Sequence, residues 1–165
     1  MNRPASDAGA RVYSREAVDR IWHEKASLEA LALTGRGTLS EYLGIVLTEL
    51  GADFLAGTMP VTERTVQPQR ILHGGASVAF AETLASLAAA AAVDPARFVC
   101  VGQEINANHI RAAKEGTVVT GVARPFHIGA RSHVWGVDIS DPERRRICIA
   151  RVTMAVLPRP QGRPP

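Results

Sequence analysis

The sequence predicts an α+β fold in which an antiparallel β-sheet wraps around one long central helix. Three observations carry this. Residues 74–93 form a run of twenty with a single formal charge, dominated by alanine, which reads as a helix without a polar face. Everything after it (98–110, 117–124, 132–140 and 146–157) reads as strand, rich in β-branched and apolar residues. A helix that is apolar on nearly all sides must be enclosed, and a curling antiparallel sheet is the economical enclosure.

Taken in order, residues 1–19 and 158–165 are polar or proline-rich and are expected to fray, leaving 20–157 as the folded domain. Residues 21–33 place Ile21, Leu28, Leu31 and Ala32 at helical spacing before Gly35 and Gly37 stop the run. Two strands follow over 43–50 and 52–61, broken by Gly51 and Pro60 and expected to pair as a hairpin. Gly74-Gly75 opens the long helix, and Asp94-Pro95 closes it because the residue before proline is pushed out of the helical region. In the last two strands, Trp135, Val137 and Ile139 share one face, as do Cys148, Ala150, Val152, Met154 and Val156. Residues 114–116 and 141–143 read as turns, and no internal repeat is visible.

With 165 residues, 46% hydrophobic and 21% charged, the chain is sized for one globular domain. Fourteen glycines and ten prolines are too few for a collagen-like or wholly disordered chain. Cys100 and Cys148 each sit inside an apolar run without ligand spacing, which suits core filling in a reduced, cytoplasmic setting. The first twenty residues carry scattered charges and no apolar stretch typical of a signal peptide. The alanine-rich run is long enough to cross a bilayer, but Glu82, Thr83 and Ser86 stand at its middle, where lipid would penalise them. A buried core helix is the better reading, with no membrane partner.

Charge is uneven, −2 over residues 1–82 and +5 over 83–165. Without basic-aromatic interleaving, that excess fits phosphate on a small ligand better than nucleic acid. The five histidines, His23, His73, His109, His127 and His133, show no metal-ligand spacing, so neither a metal nor another cofactor is expected. No phosphate-loop or dinucleotide glycine motif is present. Ser77 lacks the strand-turn-helix frame of a hydrolase nucleophile and reads as helix packing.

The segment 67–82 is the most informative. A His73-Gly74-Gly75 turn leads straight into a helix whose first N–H groups lack intrahelical partners, a ready site for an oxyanion. The same glycines also fit a tight turn and nothing more. Glu82 is one carboxylate among Ala, Leu, Val and Phe, so it is either ion-paired with a strand arginine such as Arg111 or Arg151, or a burial-tuned general base or nucleophile. Ser86 lies one turn further on the same face, placed to bond a water or the carboxylate, or its own helix carbonyl. Gln67 and His73 flank the oxyanion position.

These residues, together with 101–109 (VGQEINANH), 111–116 (RAAKEG), 127–129 (HIG) and Val134-Trp135, strongly resemble the hotdog-fold acyl-CoA thioesterases. The likeness spans 21–157 and favours the branch of 1,4-dihydroxy-2-naphthoyl-CoA and enterobactin proofreading thioesterases, PaaI-like, with the glutamate-dependent 4-hydroxybenzoyl-CoA enzymes further off. The resemblance implies that Glu82 attacks the thioester carbonyl or activates water and that the Gly74 N–H holds the oxyanion. It implies that Gln67, His73 and Ser86 arrange the thioester and the water. Gly75, His109, Arg111, Arg131 and Ser132 would meet the substrate, Arg111 at the coenzyme's phosphates. It also implies a homotetramer, a dimer of dimers joined sheet edge to sheet edge, with each active site drawing on both protomers. Arg70 departs from the family, whose members commonly have glycine there, and the departure bears on the acyl pocket.

The expected activity is hydrolysis of an acyl-CoA thioester, the acyl group being aromatic. An acyl group tethered to a carrier protein presents the same thioester and stays open as an alternative substrate. A noncatalytic CoA-binding module is the rival from another class. A hydratase of this fold would need an aspartate beside His73, and none is there.

Overall fold

The computed structural model describes residues 20–160; the N-terminal tail and residues 161–165 lie outside the described residues. The elements are helices α1 (Leu28–Thr34) and α2 (Leu39–Tyr42), strands β1 (Val46–Leu50) and β2 (Leu55–Pro60), helix α3 (Gly74–Ala91), then strands β3 (Phe98–His109), β4 (Val118–Ile128), β5 (Ser132–Ser140) and β6 (Arg146–Pro158). They form one six-stranded antiparallel sheet in the order β1-β2-β4-β5-β6-β3, curled over α3. This is the α+β hotdog arrangement, and β1 and β2 pair as the expected hairpin.

α3 forms where alanine and leucine give high helix propensity. It buries Ala76, Phe80, Ala81, Leu84, Ala85 and Ala88 against the sheet. It seats against Gly57 and Gly121, which face each other across β2 and β4. A methyl on Gly121 would come within 2.6 Å of Leu84 and 2.9 Å of Phe80. The opposing wall is Trp135, Val137 and Ile139 of β5 with Cys148, Ala150, Val152 and Met154 of β6, all buried and on the alternating faces the sequence predicts. The run that is apolar and long enough for a membrane span is therefore this core helix, buried along the face it turns to the sheet; its other face is half-exposed in the single chain, so the sheet covers it on one side rather than enclosing it.

Three boundaries differ from the sequence reading. The helix expected over 21–33 starts only at Leu28, where the Ser27 hydroxyl accepts from the Ala30 N–H. The residues before it are irregular, with a turn closed by the Ala26 N–H on the His23 carbonyl, because Trp22 stacks on Trp135 at 6.1 Å and donates to the Gly51 carbonyl, while the His23 N–H donates to the Ala91 carbonyl. β1 begins at Val46, later than expected, since Gly44 turns at φ 71° after the short α2. β4 runs on to Ile128 because a bulge between Pro125 and His127 accommodates the missing proline N–H. At the other end, Pro158 closes β6 and Arg159 donates to the Arg97 carbonyl.

Candidate active site

The His73-Gly74-Gly75 turn is fixed from both sides. The His73 N–H donates to the Thr65 carbonyl, Leu72 donates to Ala113, and short bridges join Val66 to Leu72 and Ile71 to Lys114. His73 is the N-cap of α3, its Nδ1 accepting from the Gly75 N–H at 2.8 Å. A neutral His73 therefore carries its proton on Nε2 and presents a donor there. The His73 carbonyl takes the Ala76 and Ser77 N–H groups.

Of the four leading amides of α3, only that of Gly74 meets no acceptor among the described residues. It is the unspent donor at the positive end of an 18-residue helix.

Gly74 opens into a groove of about 310 Å³ that also takes in Gln67, His109 and Arg111. The Gln67 side-chain oxygen accepts from the Gln69 N–H, leaving its amide NH2 as the group it offers. His109, near the end of β3, stands so close that a methyl on Gly74 would lie 2.9 Å from its Nε2. Arg111 is exposed and makes no ion pair among the described residues. This groove holds donors and one cation, Arg111, and no carboxylate.

Glu82 and Ser86 lie elsewhere. They line a separate groove of about 360 Å³, closed by Thr34 and Gly35 at the end of α1 and by Thr38, Leu39 and Ser40 at the start of α2. Glu82 is half-buried rather than fully buried. The ion pair weighed from sequence is not made among the described residues: Arg151 pairs with Glu104 at 3.3 Å, and Arg111 pairs with nothing. The Glu82 carboxylate instead packs on Gly102 of β3. Ser86 does not bond back to its own helix; its hydroxyl donates weakly to Met154 Sδ at 3.8 Å.

Arg131 and Ser132 sit at the same end of the sheet as Glu82. Ser132 faces Ala155, and Ala155 faces Val101, next to Gly102. Arg111 is at the far end, its N–H donating to Ile147. The ten predicted site residues thus fall into two groups within one chain: Gln67, His73, Gly74, Gly75, His109 and Arg111, against Glu82, Ser86, Arg131 and Ser132. The Gly75 N–H is spent on His73.

The two groups do not converge in a single protomer. Eight residues of helix separate Gly74 from Glu82, a rise of about 12 Å. They meet β3 seven residues apart, at His109 and at Gly102.

Arg70 takes φ 58°, the left-handed conformation in which glycine is unstrained. Its guanidinium pairs with Glu115 and its carbonyl accepts from the Glu115 N–H. It lines neither groove. At this position glycine would take the same backbone conformation without strain.

The Thr34–Ser40 wall of the Glu82 groove was not read from sequence. α2 is only four residues long and shows no periodicity; the one available signal was Thr38, whose hydroxyl caps it.

Residues 69–148 match the model of the thioesterase superfamily. The chain is 48% identical over 137 residues to the proofreading thioesterase EntH of Cronobacter sakazakii, covering 83% of this chain and 98% of that one. It is 46% identical to the 1,4-dihydroxy-2-naphthoyl-CoA hydrolase of Escherichia coli, covering 83% and 99%. A crystallised mutant thioesterase from Pseudomonas aeruginosa superposes with a TM-score of 0.81 at 42% identity, covering 84% and 99%. The PaaI protein of E. coli, at 20% identity and a TM-score of 0.69, shares the fold. The chain belongs to the thioesterase superfamily and is a thioester hydrolase of the hotdog fold.

Proposed function

We propose that the chain hydrolyses acyl-CoA thioesters with an aromatic acyl group, in a site built from two protomers. The observation that carries it is the Gly74 N–H, the one leading amide of α3 left without an acceptor among the described residues, beside Gln67 and His109. A thioester carbonyl placed there would have its developing oxyanion met by a fixed amide and the helix dipole, which is where such donors act most strongly.

The carboxylate must come from elsewhere, and the sheet supplies a route. β3 is a twelve-residue edge strand with its outer backbone groups unpaired. Antiparallel pairing of two β3 edges about a two-fold axis sets the His109 end of one strand toward the Gly102 end of the other. Gly74 of one protomer then faces Glu82 of the partner subunit, and Arg111 joins Arg131 and Ser132 of the partner subunit around the coenzyme's phosphates. Each dimer holds two such sites, and pairing of dimers gives the tetramer.

In this reading Glu82 either attacks the carbonyl carbon, giving an anhydride that water then hydrolyses, or takes a proton from an attacking water; both expel the CoA thiolate. Ser86, one turn away, places the water. The Thr34–Ser40 wall of the Glu82 groove receives the acyl group. The relative named for 1,4-dihydroxy-2-naphthoyl-CoA supports an aromatic acyl group, and the one named for proofreading supports carrier-bound acyl groups as alternative substrates. The free thiols Cys100 and Cys148 suit a cytoplasmic setting. They are not placed to bridge, since Cys100 faces Val156 while Cys148 faces His109 at the other end of the same strand pair.

The test is thiol release from a panel of benzoyl, hydroxybenzoyl, hydroxynaphthoyl and straight-chain acyl-CoAs. Preference for the aromatic members, with Glu82→Gln slower by about a hundredfold or more and no loss of fold, is the expected result. Equal rates in Glu82→Gln would sink the mechanism, and binding that raises Tm without thiol release would leave a noncatalytic module.

A further inference from the structure

We propose that Gly102 is a positioning residue, whose missing side chain fixes the conformation of the Glu82 carboxylate; the inference rests on the reading of Glu82 above. A methyl on Gly102 would overlap Glu82 Oε1 and stand 3.4 Å from Cδ and 3.9 Å from Cγ. Oε1 of the carboxylate therefore points at the bare backbone of Gly102.

Within one chain, neither backbone conformation nor core packing requires glycine at this position. Gly102 is not among the residues with positive φ; among the described glycines those are Gly37, Gly44 and Gly116. It is not demanded by the core either. At Gly57 an added methyl would meet the Val46 carbonyl at 2.9 Å, and at Gly121 it would meet Leu84 and Phe80, whereas Gly102 is exposed on an edge strand. A glycine there weakens the strand without packing gain, so the room it leaves for the carboxylate is what remains to account for it.

The surrounding backbone is adapted to the same end. The β3–β6 register slips between Gly102 and Glu104, leaving Gln103 as the extra residue of a bulge, a feature that re-aims side chains. Gly102 itself faces Met154, the residue whose sulfur holds the Ser86 hydroxyl. One rung of the sheet thus touches both Glu82 and Ser86.

The clashing atom is the tip of a flexible side chain, so Gly102→Ala would move the carboxylate and leave the fold standing. With benzoyl-CoA and 1-hydroxy-2-naphthoyl-CoA as probes, Gly102→Ala is expected to lower kcat about tenfold or more, as displacement of a reacting group by about 1 Å does. KM should stay within about twofold and Tm should not fall. Combining it with Glu82→Asp, which withdraws the carboxylate by one methylene, should give a double variant faster than the product of the two single losses.

Native kcat in Gly102→Ala overturns the proposal, as does a double variant that matches the product. Lost rate that tracks lost assembly on a sizing column overturns it too. Glu82→Ala run in parallel separates the failures. If Glu82→Ala is dead and Gly102→Ala is native, only the positioning role falls; if Glu82→Ala turns over normally, or the native chain turns over neither probe, the reading of Glu82 falls with it.

Discussion

The groove at the N-terminus of α3 holds donors and the Arg111 cation without a carboxylate; the groove about two turns further on holds a carboxylate among hydroxyls without a cation. The first region is set by backbone. His73 consumes three of the leading amides through its ring and carbonyl, and what remains is the Gly74 N–H. The second is set by side chains, with Glu82 resting on a glycine and Ser86 on a methionine sulfur. Each region holds what the other lacks, and both border the same edge strand. Under the two-protomer site proposed above, chemistry divided in this way would make assembly a condition of activity.

The sharpest way to break that comparison is subunit complementation, and it carries the largest expected effect. Gly74→Pro removes the donor at a position where proline suits the first helical turn, and Glu82→Ala removes the carboxylate. Each alone is expected to lose about a hundredfold or more in kcat. Mixed dimers regain one native site of two, and random pairing on co-expression makes half of the dimers mixed, so activity should return to about a quarter of native. If mixing restores nothing while dimers form, the two regions serve one chain and the shared site is wrong.

The two regions were not equally legible in the sequence. The donor end could be read from 67–75 alone, because N-cap, glycines and helix start are all local. That Glu82 stands on the same helix was equally plain. What it touches was not, since Gly102 is twenty residues away and joins Glu82 only through the curl of the sheet. Period-two alternation gave β5 and β6 nearly to the residue, whereas the 21–33 segment misled because Trp22 is claimed by a tertiary partner, Trp135. The separation of Arg111 from Arg131 was likewise hidden, as it depends on strand order and not on spacing.

A smaller effect tests the strand end near the carboxylate. His133 is buried on β5, and desolvation first, then the nearby charge of His127, lower its pKa, partly offset by a hydrogen bond with the Gly129 backbone. Its Nδ1 and the Trp135 Nε1 have no hydrogen-bond partner among the described residues. Because the folded value lies below the unfolded one, the unfolded chain takes the proton first. Stability should therefore hold above about pH 6.5 and fall as pH drops below it, by at most about 1.4 kcal/mol per pH unit for one proton. Urea midpoints from pH 7.5 to 5 measure this. His133→Leu, similar in volume and without a proton to bind, should flatten the profile; an unchanged slope would assign the acid sensitivity to other groups.

The smallest effect concerns the approach to the donor end. Arg70 holds a left-handed backbone, which costs a non-glycine residue about 1–2 kcal/mol. Its ion pair with Glu115 is solvent-exposed and worth less than about 1 kcal/mol. Arg70→Gly relieves the first and forfeits the second, while adding unfolded-state entropy of about 0.4–1 kcal/mol that opposes folding. The three nearly cancel, so the urea midpoint should shift by no more than the equivalent of about 1 kcal/mol. Acyl preference across the panel should not change, because Arg70 lines neither groove. A change in acyl preference without a change in stability would mean that the 67–71 turn transmits its shape to Gln67, which is hydrogen-bonded to both Ile71 and Arg70 through the backbone, and would make this departure from glycine a specificity determinant rather than a matter of backbone conformation.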